Sequence, residues 1–332
     1  MAILESGIYQ HQMPTQNPFV ASMHHLDYFP KGDANMRPVE RTDENSGFNH
    51  KADWRMYHGE NIPGFPAHPH RGFETVTIVT EGIVDHTDGL GSRGRYGHGD
   101  VQWMTAGSGL QHCEMFPLVN EDSSNTLELF QVWLSLDAAH RMVEPDYKML
   151  WNEEIPKLKF GGAGSEVRVT LIAGELGGVS AIKPTKDSWA SNPENRLSIQ
   201  LIELDPGASY TLPKSSPTMN RSLYNYSTGT AEVEKQEFSR KHYMFLSTDE
   251  NTEISNISDE VVKLLLLESE PIDEPIISYG PFVMTTEEEI RQAYADYQKT
   301  QFGGWPFSEF EVVHERSTGR FAEYPDGQVE KP

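Results

Sequence analysis

Residues 68–77 read HPHRGFETVT, and residues 110–114 read LQHCE. The first stretch places His68 and His70 two positions apart, and the second places His112 and Glu114 at the same spacing. Side chains two positions apart on a β-strand point to the same face, so each stretch can project two ligands inward. Two such strands facing each other inside a small barrel would bring three imidazoles and one carboxylate together.

This donor set suits a divalent ion of iron, manganese, nickel, copper or zinc. An octahedral ion held by four protein ligands keeps two open positions, which water, dioxygen or a chelating substrate can take. A lone His-x-His pair is common by chance. With the second pair present, the residues support a metal site and ordinary strand histidines about equally. Glycines at Gly99, Gly107 and Gly109 favour the site, because a small barrel needs glycine at its tight corners.

Short stretches with strand character recur along the whole chain. They span residues 73–80, 127–136, 166–172, 197–204, 223–226 and 261–267. Residues 127–136 alternate apolar and polar side chains, and turn residues such as Pro206 and Gly207 separate the stretches. Many short strands with this punctuation predict an all-β sandwich or barrel.

One segment near the C-terminus predicts a helix instead. Thr285 with Glu288, or Thr286 with Glu289, forms a capping box that opens it. An apolar stripe at helical spacing follows, made of Ile290, Ala293, Tyr294 and Tyr297. We expect the helix to end before the glycines at 303–304, and the polar tail after residue 307 to be poorly ordered.

The chain has 332 residues, enough for two domains. Glycine and proline residues between Trp151 and Glu166 predict a boundary there, which gives an N-terminal domain of residues 1–155 and a C-terminal domain of residues 156–332. Eleven of the thirteen histidines lie at or before His140. Only the first domain therefore carries the residues for metal chemistry.

Charge and targeting signals restrict the partners. With 27 basic and 50 acidic residues the formal net charge is −23, which argues against direct nucleic-acid binding and against docking on an anionic membrane. The N-terminus lacks the basic and apolar regions of a signal peptide, and the longest apolar run is far too short to span a bilayer. With Cys113 as the only cysteine, no internal disulfide is possible. We therefore expect a cytoplasmic protein.

Several other residues near the two pairs have simpler explanations. Cys113 lies between two candidate ligands, so on a regular strand it faces away from them and packs inertly. His86 and His98 lie in or beside the glycine-rich stretch 88–99, which predicts exposed loop histidines. Arg71 could attract an anion or form a structural salt bridge.

The two histidine-bearing stretches resemble a known family. Residues 68–77, and residues 99–107 running on to His112 and Glu114, resemble the signature of the pirin family in the cupin superfamily. Residues 130–134, 142–145, 274–276 and 279–290 resemble other parts of the same family. The resemblance is dense over residues 60–160 and 268–298 and looser between them.

The resemblance implies a bicupin, with two cupin β-barrels in tandem and one metal ion per chain, typically Fe2+, in the first. Its ligands would be His68, His70, His112 and Glu114, and the C-terminal cupin domain would lack a metal. In cupins more generally a glutamate shortly after the histidine pair is often the carboxylate ligand, and here that residue is Glu74. The pirin pattern favours Glu114 and leaves Glu74 behind the ligands or unused.

The family implies two functions of different classes. Some pirin-like proteins are quercetin 2,3-dioxygenases, which implies ring opening of a flavonol-type substrate with O2, with Glu114, or else Glu74, accepting the substrate's proton. Others resemble metal-dependent or redox-dependent regulators that bind a protein partner without catalysis. An open site mouth lined by apolar side chains would favour the enzyme, and a closed mouth covered in charge would favour the regulator.

Overall fold

In a computed structural model, which describes residues 2–162 and 164–332, the chain is built mostly of β-strands. The strands of the first 150 residues are β1 Ile3–Ile8, β2 Gln12–Met13, β3 Phe19–Phe29, β4 Gly64–His70, β5 Phe73–Glu81, β6 Ile83–Asp88, β7 Arg93–Gly97, β8 Val101–Thr105, β9 Leu110–Met115, β10 Asn125–Ser135 and β11 Asp146–Leu150. The elements that follow are β12 Lys157–Gly162, β13 Ser165–Ala173, β14 Glu175–Leu176, β15 Val179–Ser180, β16 Ser198–Leu204, β17 Ser209–Leu212, β18 Asn220–Asn225, β19 Ala231–Val233, β20 Gln236–Phe238, β21 His242–Leu246, β22 Thr252–Asn256, β23 Val262–Ser269, β24 Ile277–Tyr279, β25 Phe282–Met284, α1 Glu287–Thr300, β26 Phe321–Glu323 and β27 Val329–Glu330. Short 3-10 turns lie at Asp43–Asn45, Trp189–Ser191, Pro193–Asn195 and Gln301–Gly303. All six predicted strand stretches coincide with strands.

The chain forms two units whose bounds differ from the domains we expected. Residues 23–153 and 274–332 form one, here called the histidine unit, and residues 2–22 and 154–273 form the second unit. The N-terminal segment belongs to the second unit because β1 pairs with β21. The C-terminal segment belongs to the histidine unit because β26 pairs with β7. These long-range pairings leave little signal in composition.

Two sheets make up the histidine unit. One contains the strands in the order β11-β8-β5-β10-β3, and the other has the order β27-β26-β7-β6-β9-β4. Val79 of β5 and Leu129 of β10 pack with Val84 of β6 and Tyr96 of β7 in one core cluster. Burial of these side chains from both sheets holds the barrel closed.

The second unit repeats this plan with different side chains. Its sheets have the orders β1-β21-β18-β23-β16-β13-β12 and β17-β22-β19-β20. Leu204, Leu264 and Leu266 of the larger sheet pack against Val233 and Ile254 of the smaller one. The tandem cupin architecture expected from the sequence is thus present.

The predicted helix forms, and the second of the two possible capping boxes opens it. Thr286 Oγ1 accepts a hydrogen bond from the Glu289 backbone N–H, and the Glu289 carboxylate accepts one from the Thr286 N–H. The apolar stripe, represented by Ile290 and Ala293, packs against Phe282 of β25. A residue in the left-handed conformation, Gln301, ends the helix before the glycines.

The tail after residue 307 is part of the fold, contrary to our expectation of poor order. The buried guanidinium of Arg95 donates hydrogen bonds to the carbonyls of His314, Glu315 and Thr318. Val312 also packs against the cluster that contains Cys113. A polar composition hides this role, because the anchoring groups are backbone carbonyls. Within the described part of the chain, no helix combines the length and apolarity needed to cross a bilayer.

Candidate metal centre

Strands β4 and β9 carry the two histidine-bearing stretches and pair with each other in antiparallel fashion. His68 lies directly opposite His112, and a register shift separates this pair from the Phe65–Glu114 pair. The imidazoles of His68, His70 and His112 converge, and each offers a ring nitrogen within 4.8 Å of the other two. The alternation of the strands thus brings together three of the four predicted ligands.

Hydrogen bonds on the far side of two of these rings decide which nitrogen faces the centre. His68 Nδ1 lies 2.9 Å from the Pro66 carbonyl, and His112 Nδ1 lies 3.4 Å from Nδ1 of His86. We assign the proton to Nδ1 in both rings, which leaves both Nε2 atoms as bare acceptors 3.1 Å apart. Two ligand nitrogens that each lie about 2.1 Å from one ion, with a nitrogen–ion–nitrogen angle of about 90°, are about 3 Å apart. The pair therefore has the separation that a shared cation requires.

His70 completes the cluster with two nitrogens whose hydrogen-bonding capacity is unused. It is buried, and neither Nδ1 nor Nε2 has a partner of ordinary hydrogen-bond geometry among the described residues. Burial lowers the pKa of His70, and the Pro281 carbonyl opposes that fall without forming such a bond. Unpaired buried polar atoms are uncommon in folded proteins, and an unseen ion is one reason for them.

Burial keeps these imidazoles in the neutral form that binds metals. Desolvation lowers the pKa of His68 to about 4 and lowers the pKa values of His70 and His112 well below the usual range, and repulsion among the rings adds to the effect. At neutral pH no proton has to leave before the lone pairs become available. The donor set and its protonation state therefore fit a divalent transition metal.

Glu114 lies beside the three histidines but is not a member of that group. Its Oε2 is 3.9 Å from His112 Nε2. Oε1 accepts a hydrogen bond from the Thr77 hydroxyl at 3.0 Å, and Oε2 accepts one from the Gln131 amide at 2.6 Å. Burial raises the pKa of Glu114, and His86 and these two donors oppose that rise. The carboxylate is thus held at the edge of the cluster by fixed hydrogen bonds.

Glu74, the alternative carboxylate, points elsewhere. Its Oε1 accepts hydrogen bonds from Trp103 Nε1 at 2.9 Å and from Thr105 Oγ1 at 2.8 Å. On β5 it is separated from Thr77, which contacts Glu114, by an odd number of positions, so the two side chains face opposite sides of the sheet. The turn at Gly72 breaks the alternation between β4 and β5. Even spacing from His70 therefore says nothing about the face of Glu74.

His86 is a residue of the centre that we misassigned. It is completely buried on β6, opposite Glu114, rather than exposed in a loop. Its Nδ1 faces His112 Nδ1, its ring stacks on Tyr147 with centroids 5.1 Å apart, and its Nε2 lies 3.6 Å from Asp88 Oδ2. The β-branched residues Ile83, Val84 and Thr87, followed by Gly89, were the available signal of a strand. His98 is exposed, as expected.

Two other neighbours of the ligands have structural roles. The Arg71 guanidinium pairs with Asp296 at 2.7 Å and lies over the Phe302 ring, which is the salt-bridge alternative considered above. Cys113 is buried on the opposite face of β9, where desolvation raises the pKa of its thiol to about 12. Neither side chain is placed to react at the centre.

Three uncharged, partly exposed residues lie beside the centre, namely Phe65, Gln131 and Trp133, and are here called the rim. His68 is itself half-buried, Phe65 lies 6.3 Å from it between ring centroids, and Trp133 lies 5.4 Å from His70. Gln131, also half-buried, accepts a hydrogen bond from Trp133 Nε1 at 3.1 Å and donates to Glu114. An aromatic compound approaching from this side would meet two aromatic rings and an amide.

The comparisons with known proteins agree with this architecture. The family model named Pirin matches residues 33–134, and the model of the pirin C-terminal cupin domain matches residues 200–303. A pirin-like protein of Solanum lycopersicum is 37% identical over 237 residues, which are 71% of this chain and 75% of that protein. Pirin of Homo sapiens is 35% identical over 250 residues, which are 74% of this chain and 80% of that protein.

A solved structure extends the likeness over nearly the whole chain. The crystal structure of a quercetin 2,3-dioxygenase from Acinetobacter baumannii matches with a TM-score of 0.72 at 27% sequence identity. The match covers 91% of this chain and 98% of that one.

Proposed function

The chain belongs to the pirin family, and from this premise we propose that it is a mononuclear metal-dependent dioxygenase that opens flavonol-type substrates such as quercetin with O2. The metal would be Fe2+, one per chain, held by His68, His70, His112 and Glu114. The observation that carries the proposal is the cluster of three neutral imidazoles beside an uncharged aromatic rim. That rim favours the enzyme over a regulator, for which we expected a charged mouth.

A divalent ion in this cluster would lower the pKa of a bound hydroxyl and bring the two reactants together. The protein's own contribution begins with orientation. The Pro66 carbonyl and His86 hold His68 and His112 with Nε2 directed to the centre. Phe65 and Trp133 provide apolar surface for the substrate's rings, and the face of an aromatic ring is a favourable neighbour for another.

Glu114 would accept the proton of the substrate hydroxyl at Oε2. Burial raises the pKa of this carboxyl, which makes its carboxylate a stronger base than an exposed one. Gln131 and Thr77 keep it in place through one hydrogen bond to each oxygen. Trp133 donates a hydrogen bond to Gln131, which in turn donates to Glu114. This chain of hydrogen bonds connects the ring that would contact the substrate to the base.

The test is oxygen uptake together with loss of the flavonol absorbance, measured with iron-loaded protein and quercetin. We expect activity to vanish with a chelator, to return with ferrous iron, and to fall at least about 100-fold in Glu114→Gln. Glu74→Gln is the matched control, because it makes the same substitution on the face of β5 that points away from Glu114. The amide oxygen of glutamine can still accept hydrogen bonds from Trp103 and Thr105. Elemental analysis should give one ion per chain.

An iron-loaded protein that shows no uptake above free metal, across several flavonols and metals, would refute the enzymatic proposal. It would leave a metal-dependent regulator that acts through a protein partner.

A further inference from the structure

The second unit contains a cavity of about 710 Å³, and none of its lining residues is a histidine. Part of its wall is apolar and includes Leu176, Leu212 and Leu266. The volume lies in the range of ordinary small-molecule sites.

A row of polar side chains crosses one wall of this cavity. In the register of the sheet, Ser198 of β16 lies opposite Glu268 of β23, which lies opposite Arg221 of β18. Gln200 lies two residues after Ser198 on the same face of β16, and it is paired with Leu266 of β23. All four polar residues line the cavity. Further along the same inner face the strands carry core leucines, so the polar row is a local departure from an apolar interior.

Two atoms of this row lack hydrogen-bond partners among the described residues, although both side chains are more than nine-tenths buried. They are Nη1 of Arg221 and Oε1 of Gln200. The other groups are satisfied: Arg221 Nε pairs with Glu268, Arg221 Nη2 donates to the Pro213 carbonyl at 2.7 Å, and Gln200 Nε2 donates to Ser198 Oγ at 2.9 Å. The row therefore holds one unused guanidinium N–H donor, on an arginine whose charge is paired with Glu268, and one unused amide acceptor.

The side chains that line the cavity are more basic than the protein as a whole, with Arg196 paired to Glu270 and Lys186 lying 3.9 Å from Asp187. Besides Arg221, its lining includes Lys183, Lys186, Arg196 and Lys214, whereas its acidic lining residues are Glu175 and Glu268. The chain as a whole has a net charge of −23. A local excess of positive charge in such a protein favours entry of an anion.

We propose that this cavity binds a small organic acid with an apolar body and a hydroxyl group. The carboxylate accepts a hydrogen bond from Arg221 Nη1, the hydroxyl donates to Gln200 Oε1, and the body lies against the leucines. This site is separate from the candidate metal centre and does not depend on the proposed catalytic function.

The test uses the metal-free full-length protein with chelator present and follows binding by calorimetry. The probe is 3-(4-hydroxyphenyl)propanoate, and its controls are 3-phenylpropanoate, which lacks the hydroxyl, and tyramine, which replaces the carboxylate with an amine. We expect one saturable site per chain for the first. Affinity should fall about fivefold without the hydroxyl and at least about tenfold for tyramine.

Two variants locate the binding site. Gln200→Leu should remove the preference for the hydroxylated acid over 3-phenylpropanoate. The double variant Arg221→Met/Glu268→Met replaces the buried pair with apolar side chains, which a fold often tolerates, and should weaken binding of both acids at least about tenfold. His112→Ala should bind as the parent does, since it alters only the histidine unit.

The proposal is overturned by absence of binding at millimolar probe, by equal binding of tyramine, or by an unchanged hydroxyl preference in Gln200→Leu. Loss of binding in His112→Ala would also overturn it, by placing the acid at the other centre. The ligand comparison and Gln200→Leu decide the matter even where the double variant fails to fold.

Discussion

His86→Phe should weaken metal binding without disturbing the fold. The His86 ring is fully buried and stacks on Tyr147 at an interplanar angle of 18°, an arrangement that a phenyl ring can keep. Phenylalanine removes the nitrogen that faces His112 Nδ1 at 3.4 Å, and also Nε2, which lies 3.6 Å from Asp88 Oδ2. The imidazole of His112 then loses the contact that directs its Nε2 to the centre.

Two estimates of the loss agree. Removing the hydrogen-bond partner of a metal-binding imidazole typically costs 10- to 100-fold in affinity, which is about 1.4–2.7 kcal/mol. Leaving a buried donor without a partner costs about 1–3 kcal/mol. Because 3.4 Å is long for a hydrogen bond between nitrogens, we expect the lower part of this range, about 10- to 30-fold.

Competition between the protein and a chromophoric chelator for Ni2+, Zn2+ or anaerobic Fe2+ near neutral pH measures this loss. His98→Phe is the matched control, because it makes the same substitution at an exposed histidine outside the centre. Equal affinity of His86→Phe and the parent would refute the reasoning that His86 orients His112.

Three further outcomes follow from local geometry. Gly72→Ala should lower the free energy of unfolding by about 1–3 kcal/mol or more in denaturant titration, because Gly72 has φ +86° and a Cβ would lie 1.8 Å from the Val283 carbonyl oxygen; unchanged stability would contradict the tight turn. The thiol of Cys113, with its pKa raised to about 12 by burial, should resist iodoacetamide at pH 8 in the native protein and react after unfolding; rapid native labelling would show that the tail does not cover it. Hydrogen bonds from Arg71 and Gln292 lower the pKa of Asp296 below its usual 3.8, so its stabilising effect is present above that value and is lost as pH falls through the lowered pKa. The difference in stability between the parent and Asp296→Asn should therefore be constant from pH 5 to pH 7 and shrink under acid conditions, and a difference that persists in acid would exclude this ion pair as its source.

Short-range sequence patterns determined the strand faces and the start of the helix in this protein. Because His68 and His70 are two residues apart, their side chains lie on one face of β4. His112 joins them from the paired strand β9, where Glu114 follows at the same spacing. The capping box at Thr286 set the start of the helix. These features follow from a few neighbouring residues, because alternation and capping depend only on backbone geometry within a strand or a turn.

Only the tertiary structure decided what surrounds the cluster. It placed His86 behind His112, turned Glu74 to the far face of β5, and anchored the polar tail through Arg95. It also aligned Ser198, Glu268 and Arg221 across three strands of the second unit. Each of these placements depends on which strands become neighbours, and that choice is made by the burial of side chains far apart in the chain, which no local pattern records.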